Sequence, residues 1–124
     1  MNKAAKVFVG FIIISLILIL SLYVFYKNKQ TSSDDKILFF YGITCPHCKN
    51  VEAFIEQNNL DMKLKIESLE VYNNKANLNK MISYASKCGI NESNLGVPMI
   101  YYDGKCYVGD KDCIDLLKVL GDVE

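Results

Sequence analysis

Tyr41 to Phe54 reads YGITCPHCKNVEAF. The stretch holds two cysteines separated by two residues, the chain's single histidine and one of its two prolines. A Cys-x-x-Cys pair has two chemistries open to it. As a dithiol it exchanges with disulfides; as two thiolates it supplies half of a tetrahedral metal site. The first chemistry needs one exposed, activated sulfur and one partner within reach. If a helix begins at Pro46, Cys45 sits at its N-terminus, where free backbone N–H groups and the helix dipole favour an anion. A thiol there is acidified. Cys48, three residues on, shares the same helix face and can close a disulfide with Cys45. His47 can donate a proton or a positive charge to the thiolate. Cys45 is then the attacking sulfur and Cys48 the resolving one.

The metal chemistry needs more ligands. They would come from His47, Cys88, Cys106 or Cys113, none of which forms a second Cys-x-x-Cys. It leaves an alternative function, a tethered metal-binding or metal-delivery domain whose soft thiolates suit Cu(I) or zinc. Glu52, one turn beyond Cys48, is placed either to relay protons to that thiol or simply on a solvated helix face.

The elements that must position the motif are legible. Lys36 to Tyr41 (KILFFY) is a short apolar run that fits a central strand, and Gly42-Ile43-Thr44 ends it. Pro46 fits the first helical turn, where its missing N–H is not needed. Val51, Phe54 and Ile55 continue at helical spacing to a stop at Asn58-Asn59. Met62 to Glu67 alternates apolar and polar residues and reads as a strand with one wet face. Asn73-Asn74 caps a second helix carrying Leu78, Met81, Ile82 and Ala85, with Gly89 as its stop. Met99 to Tyr102, the turn Asp103-Gly104 and Lys105 to Val108 form a hairpin. Asp110 or Asp112 caps a last helix with Ile114, Leu116, Leu117 and Leu120 on its apolar face. The expected fold class is α/β: the order β-α-β-α-β-β-α, making a mixed four-stranded sheet flanked by helices.

Ahead of this domain, Val7 to Tyr26 runs for twenty residues without a charge. A helix of that length spans the roughly 30 Å hydrocarbon core of a bilayer. Bulky residues continue to its end, where a cleaved signal peptide would carry small ones. The expected organisation is therefore a flank over 1–6, a transmembrane signal-anchor over 7–26, a polar linker over 27–35 and a soluble domain over 36–124. A very short leading segment favours a cytoplasmic N-terminus and an extracytoplasmic domain. The chain has 14 lysine and arginine residues against 14 carboxylates, and no arginine at all. Beyond residue 36, nine lysines face twelve carboxylates, a net of −3. No basic patch points to nucleic acid; the lysines flanking the span fit a membrane surface.

Cys45-Pro46-His47-Cys48, its strand-to-helix setting and Val97-Pro98 together resemble the thioredoxin superfamily over nearly all of residues 36–121. The resemblance implies a thioredoxin-like fold and a protein thiol–disulfide oxidoreductase that needs no cofactor. It implies that Pro98 is a cis proline facing the dithiol. It also implies that Val97 offers its backbone to an extended substrate. The Pro46-His47 dipeptide is similar to that of the DsbA-type bacterial disulfide oxidases, which favours the oxidising direction. The partners implied are protein thiols and disulfides, plus a membrane redox protein that resets the pair. The C-terminal half looks more like glutaredoxin, although Asp110 stands where glutaredoxins usually carry a second glycine.

Three cysteines remain. In an oxidising compartment one structural disulfide is expected. Cys88–Cys106 and Cys106–Cys113 are both open. The first is preferred because it ties the hairpin to the second helix. All three residues also fit as small buried hydrophobes.

Overall fold

A computed structural model describes residues 2–30 and 36–124. Contacts divide the chain into two units, Met1–Asp34 and Asp35–Glu124. Among the described residues, the first unit contains one helix, α1 (Lys3–Gln30). Its segment Lys3–Phe25 is long and apolar enough to cross a membrane, with a mean hydropathy of 2.9. The helix runs on through 27–30, where the linker was expected to begin. The rest of that linker, 31–35, lies outside the described residues.

The second unit begins with β1 (Ile37–Tyr41), followed by α2 (Pro46–Gln57), a helical turn α3 (Leu60–Lys63) and β2 (Ile66–Glu70). Then come α4 (Lys75–Lys87), a 3-10 turn at Glu92–Asn94, β3 (Met99–Tyr102), β4 (Lys105–Val108) and α5 (Asp110–Gly121). The sheet order is β2-β1-β3-β4. β1 runs parallel to β2, with Ile37 opposite Ile66, and antiparallel to β3, with Phe39 opposite Ile100. β4 runs antiparallel to β3. This is a thioredoxin-like fold, and that assignment stands on strand order and direction.

β1 is central, so both of its faces are buried. Ile37 and Phe39 point to one core with Val51 of α2 and Cys113 and Leu117 of α5. Leu38 and Phe40 point to the other with Met81 and Ala85 of α4. The alternation of side chains along a strand thus divides the domain into two half-cores.

The alternation read over Met62 to Glu67 places the strand too early. Leu60–Lys63 is helical and β2 starts at Ile66. Packing overrides the pattern: Leu60 is wholly buried in the α2–α5 core, Met62 is 84% exposed, and parallel pairing begins with Ile37 and Ile66. Asn59, in the left-handed region at φ 51°, turns the chain between α2 and α3. At α5 the N-cap is Gly109, with φ 95°, and Asp110 is the first helical residue. Asp103 and Gly104 both have positive φ, the geometry of a tight hairpin turn.

Cys88, the C-cap of α4, is disulfide-bonded to Cys106 of β4, at a sequence separation of 18. A loop of that length corresponds to about 3 kcal/mol of chain-entropy stabilisation. The closed loop contains Val97 and Pro98.

Candidate active site

Backbone geometry at the end of β1 makes the site. The Cys45 N–H donates to the Gly42 carbonyl at 3.0 Å, which closes a tight turn between strand and helix. Cys45 is the N-cap of α2, with extended dihedrals (φ −82°, ψ 115°), and Pro46 is at its first turn. An N-cap side chain normally supplies an oxygen to a free N–H. Here the Cys45 sulfur does so, accepting from the Cys48 N–H at 3.2 Å. That bond is strongest when the sulfur is a thiolate.

The two sulfurs differ in access. Both cysteines are buried free thiols, where the sequence called for one exposed sulfur; Cys45 keeps 7% of its surface and Cys48 none. Burial first, then its neighbour Cys45, pushes the Cys48 thiol up to about 12, although the Gly42 N–H at 3.5 Å pulls the other way. Cys113, at the start of α5, is also free and fully buried. Its sulfur lies 3.4 Å from the Tyr107 carbonyl, and burial pushes it up to about 12.

The Val97-Pro98 peptide bond is cis. The Val97 carbonyl lies 3.7 Å from the Cys45 sulfur, while the Pro98 carbonyl turns inward to accept from the Gly109 N–H at 2.9 Å. Cys45, Cys48, Val97 and Pro98 therefore meet at one end of the sheet. His47 lies on the same helical turn, with its side chain 71% exposed. Cys88 and Cys106 are consumed in their disulfide. Glu52 pairs with Lys49 at 2.7 Å, and its charge is the smallest of the causes that raise the Cys48 thiol. Among the described residues, no group of three or more His, Cys, Asp or Glu side chains is placed to hold a metal ion.

Three neighbours carry no motif and escape a reading of the sequence. Tyr72, just past β2, lays the hydroxyl end of its ring on Gly42: a Cβ there would come within 2.3 Å of the ring. Burial first, then the charges of Cys45 and Cys48, pushes the Tyr72 phenol up. Tyr72 also borders an open groove of about 550 Å³ with Val71, Leu78, Met81, Leu95 and Val97. Asp110 and Asn50 are the other two. The sequence marked Asp110 only as a candidate cap of the last helix and as a departure from the glutaredoxin pattern, and neither points to His47.

The buried thiols fix an alkaline dependence. In the unfolded chain both ionise near the ordinary value of 9.0, whereas in the folded chain they stay protonated to about 12. The unfolded state therefore binds fewer protons between these values, and stability falls as pH rises above 9. Each such thiol contributes a slope of up to about 1.4 kcal/mol per pH unit. Urea midpoints of the reduced protein between pH 8 and 11 are expected to fall more steeply than those of Cys113→Val. Equal slopes would contradict the buried-thiol account.

No protein-family model matches the chain, and no curated protein matches it. Among solved structures it is similar to glutaredoxin 1 from Francisella tularensis complexed with cacodylate. The two are 20% identical, the match covers 70% of this chain and 92% of the other, and the TM-score is 0.44. A likeness of that degree carries no argument about chemistry.

Proposed function

We propose that the chain is a membrane-tethered thiol–disulfide oxidoreductase acting on protein thiols and disulfides through Cys45 and Cys48, in the oxidising direction. One observation carries the reading. Cys45 is an N-cap residue whose sulfur accepts the Cys48 N–H at 3.2 Å and which keeps 7% of its surface exposed, while Cys48, three residues on, keeps none.

A substrate thiolate attacks the Cys45 sulfur of the Cys45–Cys48 disulfide. The Cys45–Cys48 bond breaks, a mixed disulfide forms, and Cys48 leaves as a thiolate that takes up a proton. Its strong preference for the thiol form drives that uptake. A second substrate thiolate then attacks the substrate's own sulfur in the mixed disulfide. It forms the substrate disulfide and releases Cys45. Two electrons have passed to the pair, and a membrane redox partner must remove them. The extended segment around the substrate cysteine lies beside the Val97 backbone, with apolar side chains in the groove next to Tyr72. The α1 helix anchors the domain, with the N-terminus cytoplasmic and the domain extracytoplasmic.

The test is the equilibrium of the full-length protein in detergent with glutathione. A reduction potential above about −200 mV marks a donor of disulfides. A value near −270 mV, roughly that of thioredoxin, makes the protein a tethered reductase and overturns the direction. Absence of exchange, with metal retained at stoichiometry, would replace the whole reading by the metal carrier.

A further inference from the structure

His47 is held from another element. Its Nδ1 lies 3.1 Å from Asp110 Oδ2, across 63 residues of sequence. Asn50, one turn along α2, donates its amide to the same oxygen at 2.8 Å. The other carboxylate oxygen accepts the Lys111 N–H at 3.1 Å, and the residue opens α5, where a helix N-terminus favours an anion. The carboxylate is thus fixed and ionised: the Asn50 amide first, then His47, hold it down at about 2.

We propose that Asp110 is a positioning residue for the dithiol: it clamps the His47 imidazole by Nδ1 and offsets its charge, so the Cys45–Cys48 pair is less oxidising than its Cys-Pro-His-Cys sequence alone would make it. The inference rests on reading Cys45–Cys48 as a redox dithiol.

Charge counting sets the sign. Reducing the disulfide takes two electrons and yields the buried Cys48 thiol, with a thiol or thiolate at Cys45. Nearby positive charge stabilises a thiolate and raises the potential; negative charge lowers it. With Asp110 present, the His47–Asp110 pair carries zero or minus one. With a neutral residue at 110, the pair carries plus one or zero. Removing the carboxylate therefore makes the site more positive or leaves it unchanged, and never makes it more negative. Of the other charges nearby, Lys111 pairs with Asp115 and Lys49 with Glu52, while Asp112 on α5 and Glu52 on α2 are the same in every variant, so they do not alter the sign of the change. Both partners are partly exposed, at 71% and 31%, so solvent screens the effect to a moderate size.

Two substitutions separate charge from clamp. Asp110→Asn removes the charge and keeps an oxygen for Nδ1–H; Asp110→Ala removes both. In full-length protein equilibrated with glutathione, each variant is expected to shift the equilibrium about three- to tenfold towards the reduced form. By the two-electron constant, that is about 14–30 mV. Nitrogen NMR of the imidazole is unambiguous, because the chain has one histidine. Neutral His47 is expected to carry its proton on Nδ1 in the wild type and in Asp110→Asn, and to lose that preference in Asp110→Ala. A wild type that equilibrates while both variants stay within twofold of it overturns the poising role. An unchanged tautomer in Asp110→Ala overturns the clamp. A wild type that never equilibrates removes the dithiol reading, and the poise with it, while the NMR measurement still reports on the clamp.

Discussion

In the reduced protein at pH 7, iodoacetamide is expected to alkylate Cys45 roughly a thousandfold faster than Cys48 or Cys113. Two observations set the difference. Cys45 retains 7% of its surface, while the other two have none. Cys48 and Cys113 also have thiols pushed up to about 12. At pH 7, only about one molecule in 10⁵ then carries either as the reactive thiolate. Catalysis divides the same way. Cys45→Ser removes the one cysteine of the pair that keeps any exposed surface and is expected to lower exchange with a disulfide substrate by roughly a thousandfold or more. Cys48→Ser keeps the first attack and loses the resolving step, so a mixed disulfide with substrate accumulates. Mass spectrometry of intact protein, with peptide mapping of the label, reads both results. Equal labelling of Cys45 and Cys48, or a mixed disulfide trapped equally by both variants, would contradict the assigned roles.

The placement of the two cysteines at the start of α2 was legible in the sequence because it is local. Pro46 after a strand-like run fixes where α2 starts, and the start fixes which cysteine caps it. The two half-cores were nearly as legible. ILFFY is apolar throughout, as a central strand must be, and the helices on either side carry apolar residues at helical spacing. What escaped the sequence is long-range. Tyr72 reaches Gly42 across thirty positions, and Asp110 reaches His47 across 63. Neither approach leaves a periodicity or a spacing. The displaced β2 has a different cause. Alternation over Met62 to Glu67 matches a strand, but Leu60 finds its burial against α5 in a helical turn, and parallel pairing with β1 starts only at Ile66. Tertiary packing outweighed a weak local pattern.

The second large effect lies in β1 itself. Phe39→Ala and Phe40→Ala are each expected to destabilise the domain by about 3–5 kcal/mol, as for other fully buried phenylalanines. Both rings have no exposed surface, yet they serve opposite faces of the sheet. Phe39 stacks near Tyr41 at 5.6 Å between centroids, within the core shared by α2 and α5. Phe40 lies 6.3 Å from Tyr84, within the core shared with α4 and the Val97 segment. A domain of this size has roughly 5–13 kcal/mol of total stability, so either variant removes a large share of it, and the double variant, losing about 6–10 kcal/mol, is expected to lose most of it or all. Urea melts give the size of each loss, and hydrogen exchange tells the two faces apart. Phe39→Ala is expected to lower protection chiefly in α2 and α5, and so to loosen the helix that presents Cys45 and the helix that holds His47. Phe40→Ala is expected to lower it chiefly in α4 and the Val97 loop, and so to loosen the backbone beside the Cys45 sulfur. Identical exchange patterns in the two variants would mean that the sheet does not separate the cores. The Cys45–Cys48 pair depends on both: one half-core sets the helix terminus that carries Cys45, and the other sets the strand end that faces it.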